Sequence, residues 1–216
     1  MKITSQLIKT GLLCYYRFKC GAEGVATEVS TGIGIADIVA INRDHEVIEV
    51  EVKVSKSDLK SEATKKEVKH ILLSNIKEVY GSGSFVNARP HRFYYCVPPE
   101  MEDSTIQFVN EFNPNYGVMV FNPTSIPEES ITIVKSSRKL HSNDVYEVYR
   151  THILKRNSNE LASKYRKEYW GTEPIPTKGK KDSASKKEIE RLHKLNDFYA
   201  KLIVKNNIAF SYDGPL

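Results

Sequence analysis

Two carboxylates and a lysine stand out by type and spacing. In Ile48-Glu49-Val50-Glu51-Val52-Lys53-Val54, apolar and charged residues alternate strictly. An extended chain therefore puts Ile48, Val50, Val52 and Val54 on one face and Glu49, Glu51 and Lys53 on the other. Upstream, Asp37 sits in Gly34-Ile35-Ala36-Asp37-Ile38-Val39. A lone carboxylate among such neighbours is costly to bury unless a cation pairs with it. A hairpin would bring Asp37 beside Glu51, where the two charges repel and a divalent cation relieves the repulsion. Hard oxygen ligands suit Mg²⁺, which keeps several waters and binds one or two carboxylates together with phosphate oxygens. Lys53, on the Glu51 face, can orient an attacking water and stabilise charge developing on a phosphate. Two acids, a lysine and a metal suit hydrolysis of a phosphodiester. The competing reading is an exposed hairpin face with ordinary charges, and the apolar strand around Asp37 argues against it.

These residues need strands to hold them, and the sequence supplies candidates. Residues 25–30, 34–42 and 46–54 are rich in Val and Ile, and the short link Asn42-Arg43-Asp44-His45 favours an antiparallel hairpin between the last two. Before them, residues 4–19 read as a helix with Ile8, Leu12 and Tyr15 on one face, ended by Gly21 and Gly24. After them, the capping box Thr64-x-x-Glu67 predicts the start of a second helix with Val68, Ile71, Leu72, Ile76 and Val79 as its buried stripe. Further strands are expected at residues 91–97, 116–121 and 131–136, and further helices at 101–112 and 144–170. The run Glu173-Pro174-Ile175-Pro176-Thr177-Lys178-Gly179 reads as a linker. A last helix opens at Ser185-x-x-Glu188 with Ile189, Leu192, Leu195, Tyr199 and Leu202 on one side. The expected organisation is a domain over 1–170, a linker over 171–184 and a basic helical tail over 185–216.

Composition narrows the class. Of 216 residues, 40% are hydrophobic and 27% charged, which excludes a collagen-like, mucin-like or wholly disordered chain. No uninterrupted apolar run exceeds about five residues, too short for a membrane-spanning helix. Three sparse cysteines make no disulfide framework, and the first residues carry no long apolar stretch, so a cytoplasmic location is expected. Between Lys178 and Lys205 basic residues outnumber acidic ones by the whole net charge of +5. A neutral body with one basic end suggests a phosphate-rich or acidic partner, or simply a solvated helix face. Lys65, Lys66 and Lys69 crowd the second helix beside the candidate strand and are read as phosphate contacts or as another solvated face. Glycine-rich Gly81-Ser82-Gly83-Ser84 lacks the Gly-Lys-Ser/Thr ending of a phosphate loop, and no histidine pair has zinc-ligand spacing.

Asp37 followed at this distance by Glu51-Val52-Lys53 resembles the PD-(D/E)XK nuclease superfamily, with Ala36 where that name puts proline. Glu51-Val52-Lys53-Val54-Ser55-Lys56-Ser57-Asp58, the Lys-rich helix and Phe93-Tyr94-Tyr95-Cys96-Val97-Pro98 are similar to its MmcB-like DNA-repair branch. Tyr116-Gly117-Val118-Met119-Val120 and Arg138-Lys139-Leu140 extend the likeness, which covers residues 1–157. The resemblance implies an α/β fold: a restriction-endonuclease-like αβββαβ core, a mixed sheet flanked by helices, here with a basic C-terminal helix. It implies a Mg²⁺-dependent DNA endonuclease, Mn²⁺ substituting, serving DNA repair, recombination or phage and defence DNA processing. Asp37, Glu51 and Lys53 would be catalytic. Asp37, Glu51, the Val52 carbonyl and an upstream acid would hold the metal; Glu28 is favoured over Glu23 and Glu49 because its strand should neighbour Asp37. DNA would be met by Lys65, Lys66, Lys69, Lys180, Lys181, Lys186 and Lys187, with no membrane contact and a homodimer left open. Two rival readings are a DNA-binding or assembly protein on the same fold that does not cut, and an interaction module whose basic tail binds an acidic protein.

Overall fold

The computed structural model describes residues 2–31, 34–65, 69, 70, 73 and 89–171, with backbone alone for 63–65 and 170. Packing divides the chain into two units, Met1–Leu161 and Ala162–Leu216. The first is an α/β fold whose opening elements run α1 (Ser5–Cys14), β1 (Gly24–Thr31), β2 (Gly34–Ile41), β3 (Val47–Val52), α2 (Lys56–Lys65) and β4 (Arg92–Val97). Among the described elements this is the αβββαβ order expected from the sequence. Then come α3 (Glu102–Phe112), β5 (Gly117–Phe121), β6 (Ile131–Lys135) and α4 (Tyr146–Trp170). In the second unit the described residues are the end of α4 and Gly171. No helix among the described residues is long and apolar enough to cross a membrane.

The six strands form one mixed sheet in the order β1-β2-β3-β4-β5-β6. β1 to β3 make an antiparallel meander, β3, β4 and β5 run parallel, and β6 returns antiparallel to β5. The turn joining β2 and β3 is set by Asn42, whose side-chain oxygen accepts the N–H groups of Asp44 and Glu46 at 3.0 and 2.8 Å, while His45 takes φ +59°. Short polar side chains hold such turns by imitating a backbone acceptor.

One face of the sheet is covered by α1. Thr4 caps this helix, its hydroxyl accepting the Leu7 N–H at 3.2 Å, and Ile8, Leu12 and Tyr16 pack against Ile38, Val50, Val52, Cys96 and Met119. Gly11 lets α1 approach closely, since a Cβ there would sit 2.6 Å from Ser130 Oγ and 2.7 Å from the Phe121 ring. A π-helical turn over Tyr15–Lys19 continues α1 and shifts its phase, so Tyr16 and not Tyr15 is buried. The other face is shared. At the β3–β5 end, Leu59 of α2 and Phe108 and Val109 of α3 pack on Phe93, Tyr95 and Val118; at the β1–β2 end, Tyr149 and Ile153 of α4 pack on Ala26, Val39 and Ile41. Each fully buried aliphatic side chain contributes about 1.5–3 kcal/mol.

Two expectations are corrected. The second helix starts at Lys56 and not at the Thr64 capping box: Ser55 Oγ accepts the Asp58 N–H at 3.2 Å and the Ser55 carbonyl accepts the Leu59 N–H. Thr64 lies within α2 as described, while Glu67 and the expected stripe Val68, Ile71, Leu72, Ile76 and Val79 lie outside the described residues. Strand alternation also fails at one place. In β2, Ala36 packs with the α4 side but Ile38 with the α1 side, and in β1 Val25 and Val29 separate in the same way around Glu28, whose φ is +51°.

Candidate active site

The antiparallel register of β2 and β3 runs from Ile41 opposite Val47 to Ile38 opposite Val50. It stops one pair short of Asp37 and Glu51. There the Asp37 side chain takes over from the backbone, its Oδ2 accepting the Val52 N–H at 2.8 Å. The carboxylate thus lies against the middle residue of Glu51-Val52-Lys53. Its Oδ1 is 2.7 Å from the Lys9 ammonium of α1, which also pairs with Glu28. Burial opposes the charge on Lys9, but hydrogen bonds to Asp37 and Glu28 outweigh it, so its pKa is raised. A non-glycine residue at the positive φ of Glu28 costs about 1–2 kcal/mol. That conformation ends the alternation of β1 and accompanies the turn of the carboxylate onto Lys9.

Glu51 and Lys53 occupy a different environment. Both side chains are buried, 4% and 5% exposed, and lie 3.2 Å apart. Lys53 also meets Glu62 of α2 at 2.6 Å and Asp58 at 3.7 Å. Burial lowers its pKa less than Glu51, Glu62 and Asp58 raise it, so Lys53 is held as an ammonium. Beyond the end of α2, Lys69 reaches Glu49 at 2.6 Å and Glu51 at 3.2 Å, over the Phe93 ring. Burial opposes its charge too, but the two glutamates prevail and raise the pKa well above the usual lysine range. Neither Glu49 oxygen makes a well-aligned hydrogen bond among the described residues, so the contact with Lys69 is one of charge. Glu62 in turn faces His70 Nε2 at 3.3 Å, and His70 Nδ1 lies 3.1 Å from the Tyr116 hydroxyl. The result is a chain of alternating charge from Glu49 to Glu62, with His70 beside its last member.

The structure therefore brings Asp37 onto the Glu51-Val52-Lys53 backbone and gathers Glu28 and Asp37 about Lys9. Glu49 is buried with Lys69, and Glu23 lies apart, bonded by the Tyr146 hydroxyl at 3.0 Å and facing His45 at 3.4 Å. Of the three upstream acids, Glu28 is the one that shares a counter-ion with Asp37. Lys69, expected among the phosphate contacts, is corrected: it is 6% exposed and turned inward, out of reach of a ligand on the surface. Lys66, Lys180, Lys181, Lys186 and Lys187 lie outside the described residues, as does the Lys65 side chain. Sequence reasoning missed Lys9 and Glu62 as members of the site, and read His70 with its neighbouring lysines as a phosphate contact or a solvated face. Glu62 and His70 had a signal, since two acids on a strand under an adjacent helix call for compensating groups; Lys9, beside Ile8, had none.

The carboxylates of Glu28, Asp37 and Glu51 and the Val52 carbonyl are donors of the kind a hard divalent ion takes. In this arrangement they do not fit one. Glu28, Asp37 and Glu51 meet ammonium groups, Asp37 also a backbone N–H, and no group of three acidic, histidine or cysteine side chains among the described residues could hold a metal ion.

No protein-family model and no curated protein sequence matches the chain. Among solved structures it is similar to a protein of unknown function from Silicibacter pomeroyi, with 12% identity and a TM-score of 0.49 over 82% of this chain and 99% of that one. It is also similar to a repair endonuclease from Pyrococcus abyssi, with 14% identity and a TM-score of 0.26 over 51% of this chain and 45% of the other. At such scores neither likeness decides what this chain does.

Proposed function

We propose that the chain is a Mg²⁺-dependent DNA endonuclease that hydrolyses phosphodiester bonds, with Mn²⁺ able to substitute. One observation carries the reading: the Asp37 carboxylate contacts the backbone of Glu51-Val52-Lys53 through the Val52 N–H at 2.8 Å. A strand-borne aspartate and a Glu-x-Lys tripeptide thereby meet where the pairing of β2 with β3 ends, the juxtaposition that phosphodiester hydrolysis asks for. Asp37, Glu51, the Val52 carbonyl and Glu28 would hold the ion in a state where the Lys9 ammonium has left Asp37. Lys53, kept charged by Glu51, Glu62 and Asp58, would face charge developing on the phosphate. Lys65, Lys66 and the lysines of the basic tail would supply phosphate contacts that position DNA without reading sequence.

A second reading has its own support. Glu51 and Lys53 are buried, and each acid of the motif already has an ammonium partner. Such a site suits a protein that binds DNA on this fold without cutting it.

Incubating the full chain with single-stranded, duplex, flap and junction DNA in Mg²⁺, Mn²⁺ or EDTA separates the two. Cleavage should require the metal, vanish in Asp37→Asn and Glu51→Gln, and fall at least about 10²-fold in Lys53→Met, the scale of one lost preorganised donor. DNA affinity in EDTA should change little in all three. A Lys53→Met protein cutting at the wild-type rate would reject the mechanism. Binding with no cleavage under any metal would assign the protein to the second reading.

A further inference from the structure

The disagreement between the motif and its surroundings has a named agent at Asp37. We infer that the Lys9 ammonium is the chain's built-in counter-ion for Glu28 and Asp37, and that a divalent cation binds these carboxylates only once Lys9 is displaced or removed. The inference deepens the nuclease reading, since it takes Asp37 as part of a cation site.

Lys9 is placed for this by the helix that carries it. Its neighbours Ile8 and Leu12 are fully buried against the sheet, and Lys9 itself is 8% exposed. Gly11 of the same helix holds it close to β5 and its neighbouring loop, since a Cβ there would meet Ser130 and Phe121. The two strands reach toward it in turn. The β1–β2 register sets Thr27 opposite Ile38 and Val29 opposite Ala36, so Glu28 and Asp37 face each other where both strands break alternation. Both carboxylates meet one Nζ, Asp37 at 2.7 Å and Glu28 also in contact. A backbone outlier of this kind persists only where its surroundings over-determine it. Here what surrounds it is a cation position, filled by a group covalently tethered to α1.

One ammonium neutralises one of the two carboxylates. A divalent ion would neutralise both, but it needs oxygen ligands at about 2.0–2.1 Å and cannot share the position with Nζ. Metal affinity at this site is therefore set by competition with Lys9.

The test is Mn²⁺ titration of the full chain without DNA, followed by calorimetry and by the melting temperature. Wild type should bind Mn²⁺ weakly, with half-saturation in the millimolar range or above, and its melting temperature should not rise with the ion. Lys9→Met keeps the apolar stem and removes the charge; it should bind at least about tenfold more tightly and melt higher with Mn²⁺. Adding Asp37→Asn should abolish that gain. Equal Mn²⁺ affinity in wild type and Lys9→Met overturns the inference. If Lys9→Met does not fold, wild type decides: sub-millimolar Mn²⁺ binding that Asp37→Asn abolishes would overturn it, and its absence would uphold it. Failure of the nuclease reading looks different. A Lys9→Met protein that gains the ion while neither it nor wild type cuts DNA upholds the counter-ion and rejects the nuclease.

Discussion

Removing the Lys69 charge should expose how far the buried chain of ions depends on exact compensation. In Lys69→Met the stem that packs over Phe93 is kept, while Glu49 loses its 2.6 Å partner and Glu51 its 3.2 Å contact. Glu51 keeps Lys53 at 3.2 Å, so the uncompensated charge is that of Glu49, which has no exposed surface. Breaking a buried pair from one side costs about 3–5 kcal/mol. At about 2–4 °C per kcal/mol for a chain of this size, the melting temperature should fall by roughly 6–20 °C. Glu49→Gln/Lys69→Met removes both charges together and should cost less than the single lysine change. The coupling between the two sites should exceed about 1.5 kcal/mol, within the range measured for residues in one network. Urea denaturation of wild type, both single variants and the double variant is the assay. Costs that add to within about 0.5 kcal/mol would refute the reasoning.

Gly117→Ala would drive a Cβ into the Tyr94 ring and to 2.8 Å from the Lys135 carbonyl oxygen, so it should lower stability by about 1–3 kcal/mol. A thermal scan checks this, and an unchanged melting temperature would mean the ring gives way. Burial brings the His141 pKa down to about 4, against about 6.5 in an unfolded chain. His91, its ring tilted against that of His141 with centroids 4.8 Å apart, is lowered for the same reason. Because the unfolded chain takes up the proton first, stability present above about pH 6.5 should be lost as pH falls toward 4, by up to about 1.4 kcal/mol per unit for each histidine. His141→Asn should flatten that slope in urea titrations from pH 7 to 4.5, and an equal slope would remove His141 from the account.

Much of the scaffold was legible because it depends on local pattern. Val47–Val52, the Asn42 turn and the Ile8/Leu12 face of α1 follow from spacing alone, and the α/β order followed with them. The site was legible only in part. A Lys-rich helical segment reads as solvated when its own residues are counted, yet Lys69 and His70 turn inward because Glu49, Glu51 and Glu62 need counter-charges or partners. The inversion at Glu28 and Asp37 has no local signal either, since each residue's conformation answers to Lys9 on another element. The π-helical turn shows the same limit on a smaller scale, burying Tyr16 in the core while Tyr15 packs half-buried against it.

The parallel pairing of β3 with β4 sets an order on how this sheet is assembled. The β1–β2–β3 meander closes through short turns, but β4 cannot dock until residues 53–91 have crossed over, and pairings distant in sequence form slowly. A chain in which the meander closed first would leave β3 a free margin of the sheet, rich in valine and open to strands of other chains. Glu49 and Glu51 would keep that margin charged and wet, a feature that discourages edge-to-edge aggregation. The crossover then delivers Lys53, Glu62, Lys69 and His70 together with the strand they accompany. The same two glutamates that compensate the lysines of the finished protein thus guard the half-built one.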